Sequence, residues 1–310
     1  MLTFEDMYEL AQTMTNDTST GALTYLKQNI NIGLHFVEDA LGSFYSQETA
    51  TDSTTASTST YQTPARFVRF NEVYITVSSV RYPIEQIYDE RLWQTIKSRS
   101  SSQTSDIPQF MFTRKDTYEV YPTPATSSNT ITMIYEASNK DLTAADYTGG
   151  TITTLANASK AVTGSSTDWV TQGVIAGRWF KINADGVWYK IATVGSATSI
   201  TLQKNFEGTA ISAGTSAYTI GEIPNIPPST HMLPVYYAVG QYYAGIKVDG
   251  DKSSEYMDMF FGRSKYKGSG LDAAKERWGH RYTSRVIRSQ RRYRKGIGVI
   301  NPNFYPTVIT

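Results

Sequence analysis

The sequence contains no cysteine. That excludes disulfides, thiolate nucleophiles and thiolate metal ligands, and fits assembly in a reducing compartment or indifference to redox state. Long hydrophobic runs are also missing: no stretch approaches the roughly 18 apolar residues that read as a membrane span. The N-terminus, MLTFEDMYEL, is acidic and amphipathic and has none of the features of a signal peptide. Histidine is scarce, with three residues; His35, His231 and His280 sit on separate segments without ligand spacing, which argues against a metal site. A phosphate-binding G-x-x-x-x-G-K-[ST] loop, an H-E-x-x-H helix and a G-x-S-x-G elbow are all absent. Acid pairs such as Asp89 with Glu90 and Glu38 with Asp39 arise by chance among 28 acidic residues. The reading is of a chain without catalytic residues, cofactors or metal ions.

What is present is polarised charge. The chain holds 29 basic and 28 acidic residues. Nine of the basic ones fall between Lys275 and Lys295, beside a single acid, Glu276, which leaves 20 basic against 27 acidic residues elsewhere. A mildly acidic body therefore carries a strongly basic arm. The arm is followed by GIGVINPNFYPTVIT, which has no charge and is rich in aromatic and β-branched residues. A disordered tail is usually poor in these. It reads as an extended segment that finds its partner elsewhere, by adding a strand or filling a groove on another chain. The residues expected to make that contact are Arg281, Arg285, Arg288, Arg291, Arg292, Arg294, Lys295, Ile297, Val299, Ile300, Phe304 and Tyr305. Phosphate neutralisation by the same arginines, with Tyr282 and Tyr293 interleaved, is the nucleic-acid alternative.

At 310 residues the chain accommodates two domains or one elaborated one. Thr3 and Asp6 have the spacing of a capping box before a short helix with Phe4, Met7, Tyr8, Ala11 and Met14 on one side. A longer helix is predicted over 21–46, with Leu23, Leu26, Ile30, Leu34, Val37, Leu41 and Phe44 as its apolar stripe. Residues 49–60, nine of twelve Ser or Thr, predict an exposed, flexible link. From Tyr61 the period changes to two. ARFVRFNEVYITV predicts two strands meeting near Asn71 and Glu72, and residues 85–98 a helix. QFMFTRKDTYEVYPTP predicts a hairpin turning at Lys115 and Asp116, with NTITMIYEA as a third strand.

Residues 149–222 read as an inserted β module. Asp185 and Gly186 mark its best hairpin, and Trp169, Trp179, Phe180, Trp188, Tyr189 and Phe206 are expected to fill its core, since small domains need most of their large side chains inside. Helix returns over 230–248, with Pro234 in its first turn, and again over 252–278, with a break expected around Gly268 to Gly270. The expected fold is α+β. A four-helix bundle is formed by both chain ends (1–48 and 223–282), after which the arm, 283–310, extends. Between helices 2 and 3 lie the link 49–60, a small antiparallel sheet plus helix (61–148) and the inserted barrel or sandwich (149–222).

The order of these segments resembles the head-to-tail adaptor (neck, or tail accessory) proteins of short-tailed bacteriophages. The resemblance is carried by YQTPARFVRFNEVYIT with RYPIEQIYDERLW, by DTYEVYPTPATSSNTITMIYEASNKDLTAADYTGG, by AVTGSSTDWV and GRWFKINADGVWYKIATVGSATSITLQKNFEG, and by IGEIPNIPPSTHMLPVYYAVGQYY. Together these span roughly residues 61–245. It implies a virion structural protein at the head-tail junction, assembled in the host cytoplasm. Such a protein forms a homo-oligomeric, dodecameric ring around the DNA exit channel used in genome ejection, bound to the portal through the C-terminal arm and to the tail nozzle, near packaged DNA and away from any membrane. Two alternatives are a tail-associated peptidoglycan-degrading enzyme and a carbohydrate-binding tail component acting through 149–222.

Overall fold

The computed structural model describes residues 1–41, 47–98, 103–138 and 140–279. It divides into two compact units, Met1–Leu41 with Asp141–Thr310, and Gly42–Lys140. The architecture is mixed α+β. Helix α1, Phe4–Thr15, opens with the expected capping box: Asp6 N–H donates to Thr3 Oγ1 at 3.2 Å and Thr3 N–H donates to Asp6 Oδ2 at 2.9 Å. It ends at Asn16, which takes the left-handed conformation that Asn tolerates. Helix α2, Thr20–Leu41, buries Leu26, Ile30, Leu34, Val37 and Leu41, the spacing of a single stripe. The rest of the helix expected to residue 46, including Phe44, lies outside the described residues.

The second unit departs from its sequence reading in three places. First, half of the link expected over 49–60 is a strand: β1, Gln47–Ser53, pairs along its whole length with β8. Its side chains alternate between exposed and half-buried, but all except Ala50 are polar, so no apolar alternation marks it in the sequence. Second, ARFVRFNEVYITV holds one strand instead of two. After β2, Thr60–Gln62, strand β3 runs unbroken from Phe67 to Val77, with bulges between Phe67 and Arg69 and between Phe70 and Glu72 absorbing the irregular alternation. Its hairpin partner β4, Val80–Pro83, follows a two-residue turn in which Ser78 and Ser79 both have positive φ. Third, the helix expected over 85–98 is a strand, β5 (Glu85–Ile87), and then α3, Glu90–Ser98. The hairpin at Lys115 and Asp116 is present, as β6 (Phe110–Arg114) and β7 (Thr117–Tyr121); β8, Thr130–Ala137, belongs to another sheet.

The unit thus has two four-stranded sheets, ordered β1-β8-β3-β4 and β2-β7-β6-β5. Phe70, Ile75, Ile131 and Met133 of the first share one core with Met111, Tyr118 and Val120 of the second. Helix α3 seals a smaller cluster, in which Trp93 stacks on Phe112.

The β module consists of β9 (Thr151–Leu155), β10 (Ala161–Ser165), β11 (Trp179–Ile182), β12 (Trp188–Ser196), β13 (Ser199–Leu202), β14 (Ile211–Ser216) and β15 (Tyr218–Gly221). They form one sheet in the order β14-β9-β10-β13-β12-β11-β15, a half-barrel. Strands β14 and β15, separated only by Ala217, are its two outer strands. Trp169, Phe180, Tyr189 and Phe206 are buried inside, as expected. Trp169 Nε1 donates to Tyr218 Oη at 2.9 Å, and that hydroxyl donates to the Gly149 carbonyl, so the core's polar atoms are satisfied. Trp179 and Trp188 are not in the core. Each directly adjoins an inward residue, Phe180 and Tyr189, and side chains alternate between faces of a strand. On the outer face Lys190 and Lys181 lie over their rings, at 6.0 and 4.6 Å.

Helix α4, Met232–Gly245, returns the chain to α1 and α2, burying Leu233, Val235, Ala238, Val239, Tyr242 and Tyr243. A Cβ on Gly33 of α2 would come within 2.9 Å of Tyr237 Cβ, so the glycine permits the close crossing of α2 and α4. Helix α5, Gly250–Phe261, is capped by Asp249, whose Oδ1 accepts from Lys252 N–H at 3.1 Å. The helix expected over 252–278 is broken at Gly268 and Ser269 as expected, but the break begins earlier. Gly262 ends α5 at φ 81°, and α6 covers only Gly270–Ala274 before a π-helical turn, Lys275–Gly279. Helices from both chain ends do share one hydrophobic core. It takes in α6 as well as α1, α2, α4 and α5, so the arrangement is not clearly the expected four-helix bundle.

Candidate interaction site

All twelve residues expected to contact a partner, from Arg281 to Tyr305, lie outside the described residues, as does His280. The segment that delivers them is described. Ala274 is buried in the helical core, and Leu271 and Trp278 pack against it half-buried, while Lys275, Glu276 and Arg277 are exposed. The basic run therefore begins on a docked stem. The stem's course is set at the α5–α6 turn by two glycines packed back to back. A Cβ on Gly262 would lie 1.9 Å from Ser269 O, and one on Gly270 would lie 2.3 Å from Gly262 N; both have positive φ. Between the stem and the start of α4 is a cleft of about 170 Å³ lined by Thr230, Leu233, Ala274, Arg277 and Trp278.

A second site, which the sequence reading missed, fastens the start of α1 to the rest of its unit. His231 is 1 % exposed. Its Nδ1 accepts from Leu2 N–H at 3.1 Å, so Nε2 carries the proton and donates to Ile226 O at 3.2 Å. Nearby, Phe4 N–H donates to Glu222 O at 2.8 Å. Thr3 Oγ1 donates to Asp146 Oδ2 at 3.0 Å, and Asp146 N–H donates to Glu5 Oε2 at 2.6 Å. Glu222 Oε2 accepts from the N–H groups of Thr143 and Ala144 at 2.6 and 2.8 Å.

A buried cation answers this acidic group. Arg178, 4 % exposed, donates through Nη2 to Ala145 O at 2.6 Å and Ile220 O at 3.2 Å. Burial lowers its pKa, against the raising effect of Glu222 and Asp146. Burial first, then Glu5 and Asp6, push the Asp146 carboxyl up to about 6, although the Thr3 hydroxyl and Arg178 work the other way. No local signal marks these residues. Leu2 and His231 are 229 positions apart, and Thr3 and Asp146 are 143 apart.

In the other unit, Glu119 is the hub of a polar knot. Its Oε2 accepts from Trp93 Nε1 at 3.0 Å and from Lys97 Nζ at 2.9 Å; its Oε1 accepts from Arg114 Nε at 3.3 Å. Burial works to raise the Glu119 pKa, but the bonds from Lys97 and Trp93 outweigh it and hold the carboxyl below its usual range. The acid pair noted in the sequence has structural duties here. Asp89 Oδ1 accepts from Arg91 N–H at 2.8 Å at the start of α3, and Glu90 Oε1 accepts from Arg114 Nη2 at 2.7 Å. His35 meets Asp141 at 2.8 Å on the other unit's surface. Among the described residues, no group of three or more His, Cys, Asp or Glu could hold a metal ion. No described helix is long and apolar enough to cross a membrane.

The family model described as SU10 adaptor protein covers residues 3–172, more than half of the chain, from the cap of α1 into the β module. No curated protein matches.

Proposed function

The chain belongs to the SU10 adaptor protein family, and from that premise we propose that it is a structural connector of the phage particle. It assembles as a ring around the DNA exit channel, a dodecamer, binds the portal of the head through its C-terminal arm and joins it to the tail nozzle. The family match over residues 3–172 is the observation that carries this reading, and it is consistent with a phage head-tail adaptor. In this reading residues 1–48 and 223–282 build the ring wall and 283–310 reach the portal. The protein does no chemistry of its own.

Two features support the division of labour. The stem before the arm is anchored by Ala274 and Trp278 and turned by Gly262 and Gly270, so it fixes where a long basic segment leaves the body. The body itself is mildly acidic, which suits a wall beside DNA, since attraction to phosphates would slow passage.

Truncation after Thr283 tests the reading. The shortened protein is expected to fold and to keep the circular dichroism and melting behaviour of the full chain, yet to lose attachment to purified portal rings in sedimentation and in electron-microscopy class averages. Undiminished portal binding by the truncated chain would overturn the role given to the arm. A second reading, glycan contact through the β module, draws on one observation: Trp179 and Trp188 face outward. Binding of glycans that survives Trp179→Ala with Trp188→Ala would remove it.

A further inference from the structure

The start of α1 is held by two titratable fastenings, and their protonation demands oppose each other. At His231 the neutral ring is required, because Nδ1 must accept the Leu2 N–H while Nε2–H is committed to Ile226 O. A proton on Nδ1 would face that N–H donor to donor. At Asp146 the protonated form is the comfortable one. The carboxyl sits with Glu5 and Asp6 of α1, its Oδ1 is buried without a hydrogen-bond partner, and Arg178 is shared with Glu222. Among the described residues, the Met1 amine also lies near His231 and disfavours its charged form. Both fastenings act on residues 2–5, so they control one event, the seating of the first turn of α1.

We propose that this seating is a pH-compensated clasp, in which acid weakens the His231 fastening while it relieves the burial of the Asp146 carboxylate beside Glu5 and Asp6, so that α1 stays docked across the mildly acidic range. Linkage gives the directions. Burial lowers the His231 pKa below 6.5; its contribution is present above 6.5 and is lost as pH falls toward the depressed value. The Asp146 pKa is raised from 3.8 to about 6; its contribution is full below 3.8 and is lost as pH rises to about 6. Where the two ranges overlap, the closed clasp holds a protonated Asp146 and a neutral His231, and the open one holds Asp146 ionised and His231 protonated. The proton count is unchanged, so the balance between them does not respond to pH.

Hydrogen exchange of the full chain, read for residues 2–8 from pH 4.5 to 7.5 and corrected for intrinsic rate, tests this. Wild type is expected to show a shallow profile. Asp146→Asn leaves His231 alone, and opening should increase as pH falls below 6.5, by up to about tenfold per unit. His231→Gln keeps a donor and an acceptor but cannot take up the proton. Opening should then increase as pH rises toward 6, with a similar slope. Parallel profiles in all three proteins, or a wild type as steep as either variant, overturn the proposal. Should a variant fail to fold, the wild-type His231 ring signals decide: the ring should titrate below the ordinary imidazole value, and a ring titrating at or above that value overturns it too.

Discussion

At the scale of single residues, the module's aromatic side chains divide by face. Phe180 and Tyr218 are inside, while Trp179 and Trp188 cover lysine side chains outside. Phe180→Ala should therefore cost about 3–5 kcal/mol, as a large cavity in a small core does. Trp188→Ala should cost far less, because it removes only a half-buried ring and its cation–π contact, worth about 0.5–1 kcal/mol when exposed. Thermal melts of the two variants check the difference; equal losses would mean that the faces are misassigned. Tyr218→Phe isolates the polar part of the same core. It leaves the buried Trp169 Nε1 and the Gly149 carbonyl without their shared hydroxyl, for a loss of about 1–3 kcal/mol in denaturant unfolding. In the other unit Glu119→Gln weakens a carboxylate shared by Trp93, Lys97 and Arg114. The wild-type contribution of this depressed carboxyl is present above its unfolded value and lost as pH falls through the folded one. The variant should accordingly be less stable at neutral pH and should approach wild type in acid.

At the scale of elements, two turns are set by backbone conformation. The α5–α6 turn needs Gly262 and Gly270, since a side chain on either meets backbone atoms that cannot yield. Gly262→Ala should leave the rest of the unit folded but raise hydrogen exchange over residues 263–279, where the stem is seated; unchanged exchange there would show that the turn tolerates a Cβ. The α4–α5 connection carries the opposite case. Val248 sits at φ 52°, in the left-handed region that a β-branched residue disfavours, and is 80 % exposed, so little packing holds it there. Val248→Asn or Val248→Gly should raise the melting temperature, with a gain of about 1 kcal/mol. These elements also show what could be read in advance. The hairpins at Lys115 with Asp116 and at Asp185 with Gly186, and the cap at Thr3 with Asp6, are legible because each is decided by residues within a few positions of one another. The course of β1 was not, because its strand character comes from pairing with β8 some eighty residues away, while its own composition is that of a link.

At the scale of the whole molecule, the polarised charge is a property of composition, and the family match gives it a setting: a phage adaptor with an acidic body and a basic arm. The helical core holds α1 together with the stem that precedes the basic arm. The amino-acid sequence alone determined the charge asymmetry, the helices at both ends and the β-rich middle, because composition and short-range periodicity decide these; the family follows from the likeness of whole segments and their order. Only the tertiary structure decided which tryptophans are covered, that β6–β7 and β8 lie in different sheets, and that Leu2, Asp146, Arg178, Glu222 and His231 meet. Those outcomes depend on pairings between distant segments. Their free energy comes from burial and hydrogen bonds that exist only once the chain has closed on itself, so no local pattern carries them.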